Sequence, residues 1–290
     1  MTLRAPAKLN LCLYLGPRRQ APPGAGASRG SGEGLHEIRS LFCPLTLADR
    51  IVVTDADTDE LICPGVEGPN LASEALTALR ARGWRRPPAR VEIEKRIPVA
   101  AGLGGGSADA AALLRLARDE VDGVAELAVD LGADVPSQLD PAFALVGGAG
   151  EEVEPLPPPG EFAAVLVPAE DGLSTAEVYA EADRLGLGRD LDGLHAIGGR
   201  LRAAAGGGAS PLRYAELLVN DLGRAALSLR PEIAAALSAL EEAGAEVALI
   251  TGSGPTACGL FENIAAADRA AGVLPPRYAN AIVAAPETSR

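Results

Sequence analysis

The chain has 290 residues, with 39 acidic and 26 basic side chains giving a formal net charge of −13. Such a surplus of negative charge excludes a general nucleic-acid binder, and no window holds the roughly 18 uninterrupted apolar residues that a membrane span needs. Cys12, Cys43, Cys63 and Cys258 stand far apart with no CxxC pair, and His36 and His195 are the only histidines, which excludes a zinc site or a disulfide framework.

These features fit a cytoplasmic protein, and the length predicts two domains. The opening MTLRAPAKLNLCLYLG interrupts its apolar run with Lys8 and Asn10 and lacks a small-residue cleavage site. It reads as a first strand over 3–15, not as a secretory leader. Residues 17–34, rich in Pro, Gly, Ala and Ser, predict a mobile surface loop. Strands follow at 50–56 and 90–97, separated by a helix in NLASEALTALRARG that ends at Gly83. One proline later comes PVAAGLGGGSADAAALLRLA, residues 98–117, with four glycines in five positions ahead of an alanine-rich run.

GVAELAVDLGADVPSQL predicts helix and turn, and PAFALVGGAGEEVEPL predicts paired strands joined through Gly147, Gly148 and Gly150. The prolines around 151–162 exclude a continuing helix or central strand, and the domain boundary is expected here, between 1–155 and 156–290. The second half reads as strand AAVLVP, helix STAEVYAEADRLG and a Gly/Ala-rich loop at 205–210. Helices YAELLVNDLGRAALSL and PEIAAALSALEEAG follow, then two strands around a glycine turn in EVALITGSGPTACGLFE. A helix near 263–273 and a closing strand YANAIVAAP complete an α+β pattern with antiparallel character.

The glycine stretch is the chemically informative one. A helix N-terminus exposes unpaired N–H groups, and glycines let that backbone approach an anion closely. Ser107 reads as the N-cap, with Asp109 in the first turn of a largely buried helix. No lysine follows the glycines, so this is not a P-loop, and Ser107 occupies the third glycine position of the dinucleotide fingerprint. Of the 26 basic residues only Lys8 and Lys95 are lysines. A chain that otherwise writes arginine marks those two as places where a compact ammonium is needed.

PVAAGLGGGSADAAA resembles the central phosphate-binding motif of the GHMP kinases, the superfamily of galactokinase, homoserine, mevalonate and phosphomevalonate kinases. APAKLNLCL at 5–13 resembles its first motif and LITGSGPTACGLF at 249–261 its third, in the expected order over nearly the whole chain. PAKLNL, LHEIRSLF, LGADVP, STAEVY and NDL further resemble the branch whose acceptor is 4-diphosphocytidyl-2-C-methyl-D-erythritol, in the non-mevalonate route to isoprenoid precursors. The resemblance implies a two-domain fold, ribosomal-protein-S5-like then ferredoxin-like, with the site in the cleft between. It also implies ATP-dependent phosphorylation of the acceptor's 2-hydroxyl.

Residue by residue, the resemblance implies Lys8 and Asp134 as the catalytic pair, with Asp134 the base and Lys8 orienting it and stabilising developing charge. It implies ATP held by Pro98, Val99, Ala100, Ala101, Gly102, Leu103, Gly104, Gly105, Gly106, Ser107 and Ala108, with Asn70 and Leu71 near the adenine and Lys95 bordering the nucleotide. Ser107 is expected to meet phosphate or the Mg²⁺ that accompanies it, with pure N-capping as the alternative. For the acceptor it implies Asn10, His36, Thr175, Tyr179, Gly252 and Gly254, with His36 hydrogen-bonding the cytosine and Tyr179 stacking on it. No tightly bound organic cofactor, nucleic acid or membrane partner is implied.

The family reads DGYHE where this chain reads EGLHE, so Leu35 replaces an aromatic, and Tyr14 is a candidate to compensate. Two readings stay open at this point. One is a related kinase acting on homoserine or phosphomevalonate; the other is a nucleotide-binding regulator without chemistry.

Overall fold

The computed structural model describes residues 1–19, 34–66 and 68–287. Most of the expected surface loop at 17–34 therefore lies outside the described residues. Strands β1 (Thr2–Arg18) and β2 (His36–Asp55) form a long antiparallel pair, from Thr2 opposite Val52 to Arg18 opposite His36. The register shifts between Pro6 and Lys8 and again between Asn10 and Cys12. Such irregularities re-aim side chains, and here they flank Lys8 and Asn10, the polar residues of the strand's buried apolar middle. The sequence predicts a strand only over 50–56, but β2 is continuous from His36, because its first half is held by pairing with β1 and with β5 (Ala144–Gly147).

Strands β3 (Glu60–Ile62), β4 (Ala89–Glu94) and β6 (Glu152–Pro155) complete a six-stranded sheet in the order β3-β4-β2-β5-β6, with β1 on β2. Along β4 burial alternates strictly, with Ala89, Val91 and Ile93 inward. They pack on helices α1 (Leu71–Ala81) and α2 (Gly105–Leu116), in one apolar cluster with α3 (Val124–Leu131) and Val135 of α4 (Val135–Leu139). Every residue of α2 from Ala108 to Leu114 is buried, as its composition predicts.

The remaining strands, β7 (Ala163–Val167), β8 (Val247–Ile250), β9 (Ala257–Phe261) and β10 (Ile282–Ala284), form an antiparallel sheet ordered β10-β7-β9-β8. Helices α5 (Thr175–Arg184), α6 (Leu191–Ala205), α7 (Gly223–Leu229), α8 (Ile233–Glu242) and α9 (Ile264–Val273) accompany it. A shared apolar cluster joins the two sheets, with Leu9, Leu11 and Leu41 on one side and Leu166, Cys258 and Leu260 on the other.

Two sequence expectations are corrected here. Helix α6 was not predicted, because glycines 193, 198 and 199 dilute its pattern; the Asp190 side chain caps it and Leu194, Leu201 and Ala205 bury its inner face. The single helix expected over YAELLVNDLGRAALSL is broken into a 3₁₀ segment, Pro211–Leu217, and α7. Between them the chain turns to pair with β1: Leu13 N–H donates to Val219 O and Asp221 N–H to Leu13 O, each at 2.8 Å.

The four thiols are free, three of them buried, and burial pushes those of Cys12 and Cys258 up to about 12. Among the described residues no helix is long and apolar enough to cross a membrane.

Candidate active site

Both lysines lead to one cavity of about 840 Å³, between the loop entering α2, the middle of β1, α5 and the β8–β9 turn. Lys8 points inward from β1 and is 5% exposed. Its ammonium donates to Asn10 Oδ1, lies 3.3 Å from Asp134 Oδ2, and sits 4.8 Å over the Phe42 ring. Asn10 Nδ2 in turn donates to Ser40 Oγ at 2.9 Å. Asp134 occupies the N-cap position of α4, yet its carboxylate makes no capping bond. Its side chain is 34% exposed and faces Lys8.

The glycine segment curls around this pair. Gly102, Gly104 and the non-glycine Ala100 have positive φ values of 76°, 70° and 54°. Gly104 N-caps α2 without a side-chain bond, which corrects the expectation for Ser107: the serine lies within the first turn of the helix and lines the cavity. Two neighbours hold the segment in shape. Lys8 N–H donates to Leu103 O at 2.9 Å, and Thr256 Oγ1 donates to Ala101 O at 2.7 Å, tying the loop to the second sheet.

Lys95 is set differently from Lys8. Its ammonium bonds Asp49 and lies 2.8 Å from Asp109 Oδ2, while Asp49 also accepts the N–H groups of Arg96 and Ile97 at 2.6 and 2.8 Å. Burial raises Asp109 to about 7, opposed by the Lys95 charge, and carboxylate proximity raises Lys95 against its own burial. Asn70 caps α1 through its side chain, accepting from Ala72 N–H at 2.9 Å, and lines the same end of the cavity with Leu71 and Cys63.

At the opposite end, His36 Nδ1–H donates to Gly16 O at 2.8 Å, and its ring centroid lies 5.5 Å from that of Tyr179. Asp183 Oδ1 is 3.0 Å from His36 Nε2, within ion-pair range though off hydrogen-bond geometry, and Asp183 is also gripped by Arg18. Burial pushes the Tyr179 phenol well above its usual value. Leu35 lies on the cavity rim, 44% exposed.

The cavity thus gathers Lys8, Asn10, His36, Asn70, Leu71, Lys95, Pro98 through Ser107, Asp134, Thr175, Tyr179 and Gly252. Ala108 is wholly buried behind it, and Gly254 supports it from outside, its carbonyl against Gly102. Tyr14 does not compensate for Leu35: it is buried in the shared core, donating to Leu217 O at 2.9 Å. Sequence reasoning missed Ser253, Phe42, Arg18 and Asp183. Ser253 stood inside the TGSG turn and could have been read from it; the others depend on pairing between distant strands and helices.

A glycine-lined helix mouth facing a buried lysine and an uncapped aspartate can hold a polyphosphate beside a base. That defines a small-molecule kinase class, and the sequence comparisons agree. Residues 70–148 match the GHMP kinases N terminal domain and residues 212–280 match the GHMP kinases C terminal domain.

The chain is similar to the 4-diphosphocytidyl-2-C-methyl-D-erythritol kinase of Streptomyces coelicolor, 39% identical over 94% of this chain and 92% of that one. It is similar also to that of Kineococcus radiotolerans, 38% identical over 96% and 86%. A crystal structure of 4-(cytidine 5'-diphospho)-2C-methyl-D-erythritol kinase superposes with a TM-score of 0.76 at 36% identity, covering 100% of both chains. Homoserine kinase from Cytophaga hutchinsonii, at 17% identity and TM-score 0.67, shares the fold. The chain belongs to the 4-diphosphocytidyl-2-C-methyl-D-erythritol kinase family of GHMP kinases. Its two sheets with their helices are the two-domain α+β fold of that family, and as a kinase it uses ATP as co-substrate.

Proposed function

We infer that the protein transfers the γ-phosphoryl group of ATP to the 2-hydroxyl of 4-diphosphocytidyl-2-C-methyl-D-erythritol. The observation that carries the chemistry is the buried Lys8 ammonium 3.3 Å from the uncapped Asp134 carboxylate, under the glycine loop. Asp134 accepts the hydroxyl proton as the phosphoryl group arrives, and Lys8, steadied by Asn10 and Ser40, fixes that carboxylate and offsets charge on the transferring oxygens. The main chain from Gly102 to Ser107 cradles the phosphates, with Asn70, Leu71 and Lys95 at the adenine end. Held by two carboxylates, Lys95 acts there more by fixing the turn into the loop than by offering free charge.

The cytosine sits with Tyr179 on one face and His36 at its edge, while Thr175, Asn10 and Gly252 border the rest of the acceptor. We place the division between the two domains at 155/156, where the chain leaves the first sheet after β6 and enters the second at β7.

Mg²⁺ fits this lining as an ion carried on ATP. The Ser107 hydroxyl and Asp134 carboxylate are oxygen donors in the cavity, and among the described residues no cluster of three His, Cys, Asp or Glu forms a cage. Among the described residues the cations lining the cavity, Lys8, Arg18 and Lys95, each sit on a carboxylate. A tetra-anionic nucleotide therefore needs the metal's charge.

The test is a coupled ADP-release assay on the cytidyl acceptor, homoserine and phosphomevalonate. Turnover confined to the cytidyl acceptor is expected; turnover only on another substrate, or ATP binding without any turnover, overturns the reading.

A further inference from the structure

Ser253 lies at the tip of the β8–β9 turn, 7% exposed, and its Oγ is 2.9 Å from Thr175 Oγ1. Among the described residues neither hydroxyl has another hydrogen-bond partner. Two hydroxyls sharing one bond commit one proton and leave the other free, so the pair presents one O–H donor to the cavity whichever way the shared bond points. The serine cannot drift from this position. Asn220 Nδ2 donates to the carbonyls of Ile250 and Gly252 at 2.6 and 2.7 Å, and Gly254 N–H donates to Thr251 O at 3.0 Å.

The location indicates what the donor meets. On α5, Thr175 and Tyr179 are four residues apart and share a face, one turn from each other. On the other side, a β-carbon on Gly252 would stand 3.5 Å from Lys8 Nζ. The hydroxyl pair thus lies between the aromatic end of the cavity and the Lys8–Asp134 pair. An acceptor with its base at Tyr179 and its reacting hydroxyl at Asp134 must carry its linking diphosphate past this point. Among the described residues the cations lining the cavity, Lys8, Arg18 and Lys95, are each on a carboxylate, and at this point the uncharged O–H is a donor available to those phosphate oxygens.

We propose that Ser253, paired with Thr175, binds the diphosphate linker of the acceptor through this free hydroxyl. The proposal rests on the function inferred above and adds a specificity element to it: the enzyme distinguishes a nucleoside diphosphate from the bare nucleoside at this hydroxyl pair.

The experiment compares wild-type, Ser253→Ala, Ser253→Thr and Thr175→Ala enzymes, with steady-state kinetics and inhibition by CDP and by cytidine. For Ser253→Ala the acceptor KM is expected to rise about tenfold, as for a lost hydrogen bond to a charged group, with the ATP KM within about twofold. CDP should weaken by the same factor while cytidine does not, Thr should restore the wild-type values, and Thr175→Ala should show the same CDP-against-cytidine split. Equal weakening of CDP and cytidine, or an unchanged acceptor KM, overturns the proposal while leaving the inferred function standing. A wild-type enzyme that turns over the cytidyl acceptor but is not inhibited by CDP overturns the proposal alone, whereas absence of turnover on that acceptor overturns the inferred function.

Discussion

Gly104 and Lys8 are in closer contact than any side chain at position 104 permits: a β-carbon there would stand 2.8 Å from Lys8 Cγ. The lysine cannot retreat, because its ammonium is tied to Asn10 and Asp134. Gly104 also has φ of 70°, a conformation that costs an L-residue about 1–2 kcal/mol. Gly104→Ala should therefore lose about that much stability in a denaturant titration and lower kcat by at least tenfold. The activity loss should exceed what unfolding explains, since the displaced group is the ammonium over the reaction.

Asp134→Asn should leave the fold intact, because the carboxylate caps nothing and is partly exposed. The kcat should fall by about 10²–10⁴, the range for loss of a general base. Calorimetry with a nonhydrolysable ATP analogue should give wild-type affinity, and retention of wild-type turnover would remove Asp134 from the chemistry.

Asp109 links stability to pH. Burial holds its carboxyl at about 7 in the folded protein, whereas an unfolded chain releases the proton at about 4. Between those values the native state binds more protons, so this group's contribution falls as pH rises and is constant above about 7. Asp109→Asn lacks that slope. Its stability relative to wild type should climb with pH across the window, by up to about 1.4 kcal/mol per unit, and level off beyond it. Urea titrations at pH 5, 6, 7 and 8 would read this difference, and a flat difference would contradict it.

Leu35 leaves one face of the proposed base site without an aromatic. Leu35→Tyr should lower the acceptor KM by about fivefold or more, as base stacking of roughly 1 kcal/mol requires, with the ATP KM unchanged. Equal shifts for both substrates would mean that the rim, not the base, was altered.

Legibility divided along physical lines. The glycine loop, the helix after it and the Lys8, Asp134, Thr175 and Tyr179 motifs were readable because local composition or an ordered set of short motifs carries them. What failed depended on distant partners. Helix α6 is helical despite its glycines because it buries Leu194 and Leu201, and Gly198 admits the Arg39 side chain, whose Cδ stands 3.4 Å from where a β-carbon would be. The helix expected across Asn220 is broken because that amide bonds the β8–β9 turn. Ser107 had the chemistry of a cap, but the chain enters α2 through the left-handed Gly104. Tyr14 is in step with Lys8 and Asn10 along the sequence, but the register shift between Asn10 and Cys12 turns it to the core.

The scarcity of lysine has a practical consequence. Both lysine amines of the chain face a single cavity, each held against a carboxylate. Acylating reagents that scatter label over an ordinary surface would, beyond the terminal amine, report here on the occupancy of one compartment. Ligand protection could thus be followed by mass spectrometry without engineering a probe.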